Sequence, residues 1–532
     1  MKKIFDFIKN FIKKKKPLVI CGAILIIAIV AFLLFGWLGL WYEALIIAIV
    51  SIALTDIKKH SILKVLSIIL LLITLASYIL PGRNSFVEQL GIADVLTNYL
   101  GIVLQNFSYI VLFLLTIGGF YGVLSKTSAY KKLLDNIVTY VKPLNNKIIY
   151  LIILLFAVTA SLTGMTIPLF IFIPFFASII LLLGYDKLVA FSATIGSIIV
   201  GYIGGIFVNF INPNTNVINT YEQFVGMDKP LANVFPKLLL LFVGIALLIY
   251  FVNRHIKNTT DKKVKYELSD NSELLIAEVK GSYKDIKVWP LIVILSITFV
   301  ILVLGMMPWS NLFNVNIFTK FHEWLIGLKI KDIAVIPTII STNLPALGEW
   351  STSGNILAPY IYMSMLLIFA TLIISLVNKI KVNEAIDNYT NGIKKMLPTA
   401  FLVTLAYTVL VCAYNNGFIE NIISNYGKFN YFISSLLALL GCILNVDTIW
   451  IMAGVFSPIV TLITDESIYA SVALLLQGIY GIFSLVGPTS LILIIGLTYL
   501  DIPYTTWLKY IWRFILMLII AIALVTLLVI LI

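Results

Sequence analysis

Two groups of hydroxyl- and amide-bearing residues interrupt long apolar stretches of this sequence. Hydroxyls, amides and the backbone carbonyls freed at a helix break can bind Na⁺, and the N-termini of half-helices carry about +0.5 charge and attract anions. The simpler alternative is that each residue only caps a broken helix. The candidate substrate- and ion-binding residues are Ser161, Thr163, Thr166, Asn212, Asn214 and Thr215 in the first group, and Asn445, Asp447, Thr448, Thr489 and Ser490 in the second.

The amino-acid composition indicates which kind of secondary structure must position these residues. The chain has 532 residues, of which 61% are hydrophobic and only 12% charged, with a mean hydropathy of +1.04. Soluble proteins carry about 25% charged residues, so a soluble enzyme and a disordered chain are both excluded. The apolar runs are continuous rather than alternating, which argues against a β-barrel. The sequence therefore predicts an all-α polytopic membrane protein.

The runs of about 20 apolar residues predict about eleven transmembrane helices. If the N-terminus is cytoplasmic, most of the 37 Lys and Arg residues fall in cytoplasmic segments, and the C-terminus lies outside. This distribution predicts a multi-pass protein of a cytoplasmic membrane. It also explains the net charge of +12 by contact with the lipid bilayer, so we expect no nucleic-acid partner.

Two shorter apolar segments have polar tips and predict re-entrant hairpins, at 148–183 and 429–463. A broken helix follows each hairpin, at 188–226 with a break at Asn209 to Asn216, and at 468–500 with a break at Gly487 to Ser490. Irregular backbone at membrane depth is tolerated only when it is buried in protein or lines a cavity. The matching order predicts inverted-topology repeats with a site near the midplane. The expected divisions are a basic segment with two extra helices at 1–61, a first repeat at 62–252, a cytoplasmic linker at 253–287, a connecting helix and outer loop at 288–348, and a second repeat at 353–532.

Asp447 is the acidic residue in the second predicted tip. A carboxylate at the bilayer centre costs about 2.5–3.5 kcal/mol on insertion scales, so it needs a partner or a function. It could carry a proton, bind a cation or pair with a substrate amine; alternatively, it lies nearer the outer surface. With no arginine at either tip, Asp447 favours an amino acid over a dicarboxylate as substrate.

Several other kinds of chemistry lack support in the sequence. The three cysteines and three histidines have no metal-ligand spacing, and no nucleotide-binding loop is present. An intramembrane enzyme would need a convergent nucleophile and base, and none is apparent. We therefore predict a secondary active transporter of a small amino acid or carboxylate that is driven by Na⁺ or H⁺. We expect no cofactor, and the only metal ion expected is Na⁺ at the helix breaks. The alternative is a gradient-independent exporter or channel of the same fold.

Six motifs carry a resemblance to a known family. They run from Tyr78 to Gly82, Gly118 to Thr127, Asn212 to Thr215, Asn415 to Ile419, Gly487 to Ser490 and Ile502 to Lys509. In their order and spacing the chain resembles the YfcC-like branch of the anaerobic C4-dicarboxylate carrier family, which is related to the p-aminobenzoyl-glutamate transporters of the ion transporter superfamily. The resemblance implies a prokaryotic inner-membrane carrier, commonly a homodimer, in which a mobile domain with both hairpins moves like an elevator against a scaffold.

Overall fold

The chain is nearly all helical. The computed structural model describes residues 61–79, 90–211, 218–229, 231–260, 286–307, 309, 315–330, 332–339, 346–348, 350, 358–417, 422–423, 426–444 and 448–531. The two extra helices predicted in 1–61 and most of the predicted linker 253–287 lie outside these residues.

The first part of the chain contains two long helices, a bent hairpin and a short strand pair. Its elements are α1 (Ser61–Ile79), α2 (Leu100–Leu124, preceded by a π-turn at Val95–Tyr99), α3 (Ser128–Val141), α4 (Lys147–Thr163), α5 (Ile173–Leu182, preceded by a 3₁₀ turn at Ile167–Phe172), α6 (Lys187–Phe191, continued by a π-turn at Ser192–Gly196), α7 (Ser197–Ile203), β1 (Asn209–Ile211), β2 (Ile218–Thr220), α8 (Tyr221–Val225) and α9 (Val234–Thr260).

The second part contains the remaining long helices and a second, smaller strand pair. Its elements are α10 (Trp289–Met306), α11 (Ile317–Ile326), β3 (Lys329–Ile330), β4 (Ile333–Ala334), α12 (Val335–Ile339), α13 (Ala358–Val377), α14 (Val382–Asn416), α15 (Tyr431–Leu444), α16 (Thr448–Ile451), α17 (Ser457–Val460), α18 (Tyr469–Val486), α19 (Leu491–Tyr499) and α20 (Tyr504–Leu531).

Seven helices among the described residues are long and apolar enough to cross a membrane. An eighth span results if α3 and α4, which meet at a bend of 111°, are counted as one. The four shorter apolar helices include the second arm of the first predicted hairpin and the first arm of the second. The backbone between α4 and α5 turns at Gly164, whose φ of +68° suits a residue without a side chain.

Helices α2 and α14 pack together through glycines. A Cβ added to Gly392 would lie 2.0 Å from the Gly118 carbonyl oxygen, and one added to Gly122 would lie 2.4 Å from the Asn388 carbonyl oxygen. Small residues allow helix backbones to approach this closely. Gly118 and Gly122 therefore let α2 pack closely against α14.

The first broken helix differs from the prediction. The sequence pattern predicts a helix that runs from 188 to a break at 209–216 and then resumes. In the structure the helix already ends at Ile203, and the chain continues as the antiparallel pair β1–β2 and the five-residue helix α8. The reason is tertiary, because buried side chains from two other elements bond the backbone just after α7 and replace its next turn.

Candidate functional site

Ser161, in the last turn of α4, holds the end of α7. Its hydroxyl donates a hydrogen bond to the Gly204 carbonyl at 2.9 Å. Its own carbonyl accepts from the amides of Ile206 at 3.0 Å and Phe207 at 3.3 Å. Ser161 is fully buried. The tip of the first hairpin therefore satisfies backbone groups that the ending helix leaves open.

Gln477, in the middle of α18, bonds the same helix end from the other half of the chain. Its Nε2 lies 2.8 Å from the Tyr202 carbonyl, 3.0 Å from that of Gly205 and 3.3 Å from that of Ile203. Gln477 is fully buried. Three elements from both predicted repeats thus meet at one polar point inside an apolar core.

The amide oxygen of Gln477 distinguishes this point from a simple helix cap. Among the residues that the structure describes, Gln477 Oε1 has no hydrogen-bond partner. A buried acceptor without a partner costs about 1–3 kcal/mol. The oxygen accepts hydrogen bonds or binds a cation, so it suits an N–H donor or Na⁺. Sequence reasoning missed Gln477, although a lone amide in the apolar run of α18 is a visible signal.

The other hydroxyls of the first tip serve the local backbone or make no cap. Thr163 Oγ1 donates to the Thr159 carbonyl at 2.6 Å and accepts from the Met165 amide at 3.2 Å. Thr166 is half-buried and makes no capping hydrogen bond to the 3₁₀ turn that follows it. The structure therefore brings Ser161 to the helix break, while Thr163 caps α4.

Side chains cap the second helix break, between α18 and α19. Pro488 has no amide hydrogen, so the carbonyl four residues earlier loses its helical partner. The last three carbonyls of α18 nevertheless each accept a side-chain hydrogen bond. The pairs are the Ser490 hydroxyl with Ser484 O (2.9 Å), Trp507 Nε1 with Leu485 O (2.7 Å) and the Tyr504 hydroxyl with Val486 O.

Thr489 connects this break to the second predicted hairpin. Its hydroxyl donates to the Ile443 carbonyl at 2.9 Å, one residue before the end of α15. Thr448 begins α16, which packs against β1. Five predicted site residues lie outside the described part of the chain, namely Asn212, Asn214, Thr215, Asn445 and Asp447.

A small apolar core joins the first break to the second hairpin. The Tyr202 hydroxyl lies 3.2 Å from the Tyr221 hydroxyl, and the Tyr202 ring lies 4.9 Å from the ring of Tyr480. Phe456, in the second arm of the second predicted hairpin, packs in the same core, and its ring is tilted relative to that of Tyr221. Elements of the two predicted repeats are therefore packed directly on each other at the site.

A buried ion pair lies next to this core. Lys237 Nζ in α9 lies 2.6 Å from Glu222 Oε1 in α8, and both side chains are at most 1% exposed. Charged side chains inside membrane helices are costly and usually functional or paired. Neither residue is a sequence-based candidate, because each lies near the end of an apolar run where charge is common.

Among the described residues, no group of three His, Cys, Asp or Glu side chains could hold a metal ion. The candidate site is instead built from hydroxyls, amides and carbonyls. Such groups can bind a small polar solute or Na⁺ without covalent chemistry.

The long apolar helices are those of a multi-pass membrane protein. Residues 43–531 match the family model described as the C4-dicarboxylate anaerobic carrier, which covers most of the chain. The protein belongs to this family of carriers.

A comparison with solved structures gives a match of low identity that extends over most of the chain. The crystal structure of the Alcanivorax borkumensis YdaH transporter, which was described as having an unusual topology, is 13% identical and covers 88% of this chain and 98% of its own, with a TM-score of 0.38. No curated protein matches the chain.

Proposed function

We propose that this carrier moves a small carboxylate that also bears an amino group, and that Na⁺ or H⁺ drives the transport. Family membership supports the carboxylate. The amino group is supported by the buried oxygen of Gln477, which has no hydrogen-bond partner among the described residues and can accept from an ammonium group. Asp447, in the tip of the second predicted hairpin, would strengthen this preference.

The single observation that carries the proposal is the meeting of Ser161 and Gln477 at the end of α7. Transporters with inverted repeats bind solutes near the midplane, where discontinuous helices from the two repeats meet. Here a hairpin tip of one half and a mid-helix amide of the other bond the same helix end, within 3.3 Å of its carbonyls. A solute bound here would contact both halves.

The wider arrangement that we propose follows from the sequence. The two halves would be inverted repeats, the chain would belong to the YfcC-like branch that it resembles, and the N-terminus would be cytoplasmic with the C-terminus outside a prokaryotic inner membrane. Access would alternate by an elevator-like movement in a homodimer. Labelling of single introduced cysteines in spheroplasts, one in the predicted linker 253–287 and one at the C-terminal residue, would test the topology.

The transport test uses purified protein in proteoliposomes. We expect radiolabelled aspartate to be taken up faster than succinate, and an imposed Na⁺ or pH gradient to accelerate the uptake. Gln477→Leu should lose most of the uptake, because three carbonyls lose their donor and the substrate loses an acceptor. Gln105→Leu is the matched control, since Gln105 is exposed on α2.

The outcomes separate the parts of the proposal. Uptake of succinate that equals or exceeds that of aspartate would contradict the role of the amino group. Flux that ignores both gradients would favour a passive exporter or channel. Normal coupled uptake by correctly folded Gln477→Leu would show that the site lies elsewhere.

A further inference from the structure

An apolar cavity of about 540 Å³ lies between α2, α3, the second arm of the first hairpin and α10. Its wall is formed mainly by aromatic and aliphatic side chains, including Tyr121, Tyr130, Phe175, Phe176, Leu295 and Phe299. A much smaller apolar cavity of roughly 150 Å³ already stays dry and binds benzene, so a cavity of this size and polarity suits an apolar occupant rather than water. Its volume falls in the usual range of ligand pockets, about 300–1,000 Å³.

Helix α3 covers one side of the cavity and carries positive charge. Tyr130, Leu133 and Ile137 line the cavity at helical spacing. The bend of 111° between the segment with α3 and α4 places α3 nearly across the direction of the hairpin arm. Lys131 and Lys132 follow Tyr130, and both are half-buried.

More basic residues lie at the same end of the cavity. Lys132 Nζ donates to the Ile286 carbonyl at 2.8 Å, which ties α3 to the segment before α10. Lys126 at the end of α2 and Lys287 before α10 are both exposed. The acidic residue of α3 is Asp135, which is also exposed. Lysines therefore lie close in sequence to the cavity-lining residues Leu124, Tyr130 and Ile292.

Two tyrosines are among the residues that line the cavity. Tyr130 is fully buried and lines the cavity, and within the described part of the chain its hydroxyl has no hydrogen-bond partner. The Tyr121 hydroxyl, by contrast, donates to the Ile171 carbonyl at 2.7 Å.

We propose that this cavity binds one acyl chain of an anionic phospholipid, whose headgroup contacts the lysines of α3. An acyl chain gains little by leaving other chains for an apolar cavity, because lipid tails are as apolar as the protein. The preference among lipids must therefore come from the headgroup, and each lysine near an anionic surface changes affinity about fivefold. The two lysines together should favour an anionic lipid by about twenty-fivefold.

The test is lipid binding to the detergent-purified protein, measured by native mass spectrometry. Phosphatidylglycerol and phosphatidylcholine with the same acyl chains are added in equal amounts. We expect phosphatidylglycerol to bind at least tenfold more strongly. Lys131→Gln/Lys132→Gln should remove this preference, and Ser296→Phe should reduce binding of both lipids, because Ser296 is an exposed residue that lines the cavity.

Two matched variants control for charge and bulk. Lys394→Gln/Lys395→Gln removes an adjacent pair of exposed lysines on α14, and Ile297→Phe adds bulk at an exposed position of α10 outside the cavity lining. Both should bind lipid like the unmodified protein. Equal binding of the two lipids, or unchanged binding by the cavity variants, would overturn the proposal and indicate lipid that only surrounds the protein. This test does not depend on the transported substrate.

Discussion

The buried pair of Glu222 and Lys237 makes a quantitative prediction. The two charged groups are 2.6 Å apart and at most 1% exposed. Glu222→Gln leaves the ammonium of Lys237 in the protein interior without its counter-charge. Breaking a buried pair in this way costs about 3–5 kcal/mol, because most of the loss is the uncompensated desolvation of the remaining ion.

Removing both charges should cost much less than removing either one. In the double variant Glu222→Gln/Lys237→Met no charge is left buried, and such replacements are often close to neutral. The expected free energy of interaction in the double-mutant cycle is therefore several kcal/mol. The exposed neighbour Lys229 provides a control, and Lys229→Met should change stability by less than about 0.5 kcal/mol.

The assay is unfolding of the detergent-purified protein, followed by intrinsic fluorescence during heating or SDS titration. We expect both single variants to unfold at a lower temperature or SDS concentration than the double variant, and the double variant to unfold before the unmodified protein. If the losses of stability in the two single variants simply add in the double variant, the reasoning is refuted. The same holds if Glu222→Gln unfolds like Lys229→Met.

Three further predictions concern helix packing and capping. Gly392→Val should strongly reduce the yield of folded protein in size-exclusion chromatography, because a Cβ would lie 2.0 Å from a backbone oxygen of α2. Gly101→Ala is the control: a Cβ there has nothing within 4 Å, so the yield should not change. Trp507→Phe should lower stability by about 1–3 kcal/mol in thermal unfolding, because the Leu485 carbonyl loses its 2.7 Å donor while the core loses little volume. Gly164→Ala should lower the free energy of unfolding by about 1 kcal/mol in the same measurement, since the φ of +68° at this position strains a residue with a Cβ. Equal stability of Gly164→Ala and the unmodified protein would contradict the assigned turn.

Long apolar helices could be predicted closely from the sequence. The pattern predicts spans near 62–80 and 288–307, and the structure has α1 at Ser61–Ile79 and α10 at Trp289–Met306. The break at Gly487 to Ser490 was also predictable, because proline and glycine act on their own backbone. These features depend on local chemistry and on continuous hydrophobicity.

The end of the first broken helix could not be predicted in the same way. Local composition places the break at the polar residues from Asn209, but α7 ends at Ile203 because Ser161 and Gln477 bond the carbonyls that follow. These two partners are 43 and about 275 residues distant in sequence. No local pattern reports a contact at that separation.

The sequence by itself determined that this protein is a helical membrane protein and which segments interrupt its spans. Both follow from the free energy of transferring residues into lipid and from backbone chemistry, which act segment by segment. Only the tertiary structure decided which polar groups meet. It brought Trp507 to the second break, paired Glu222 with Lys237, and placed Gln477 on the first break, because each of these contacts requires separate helices to pack side by side.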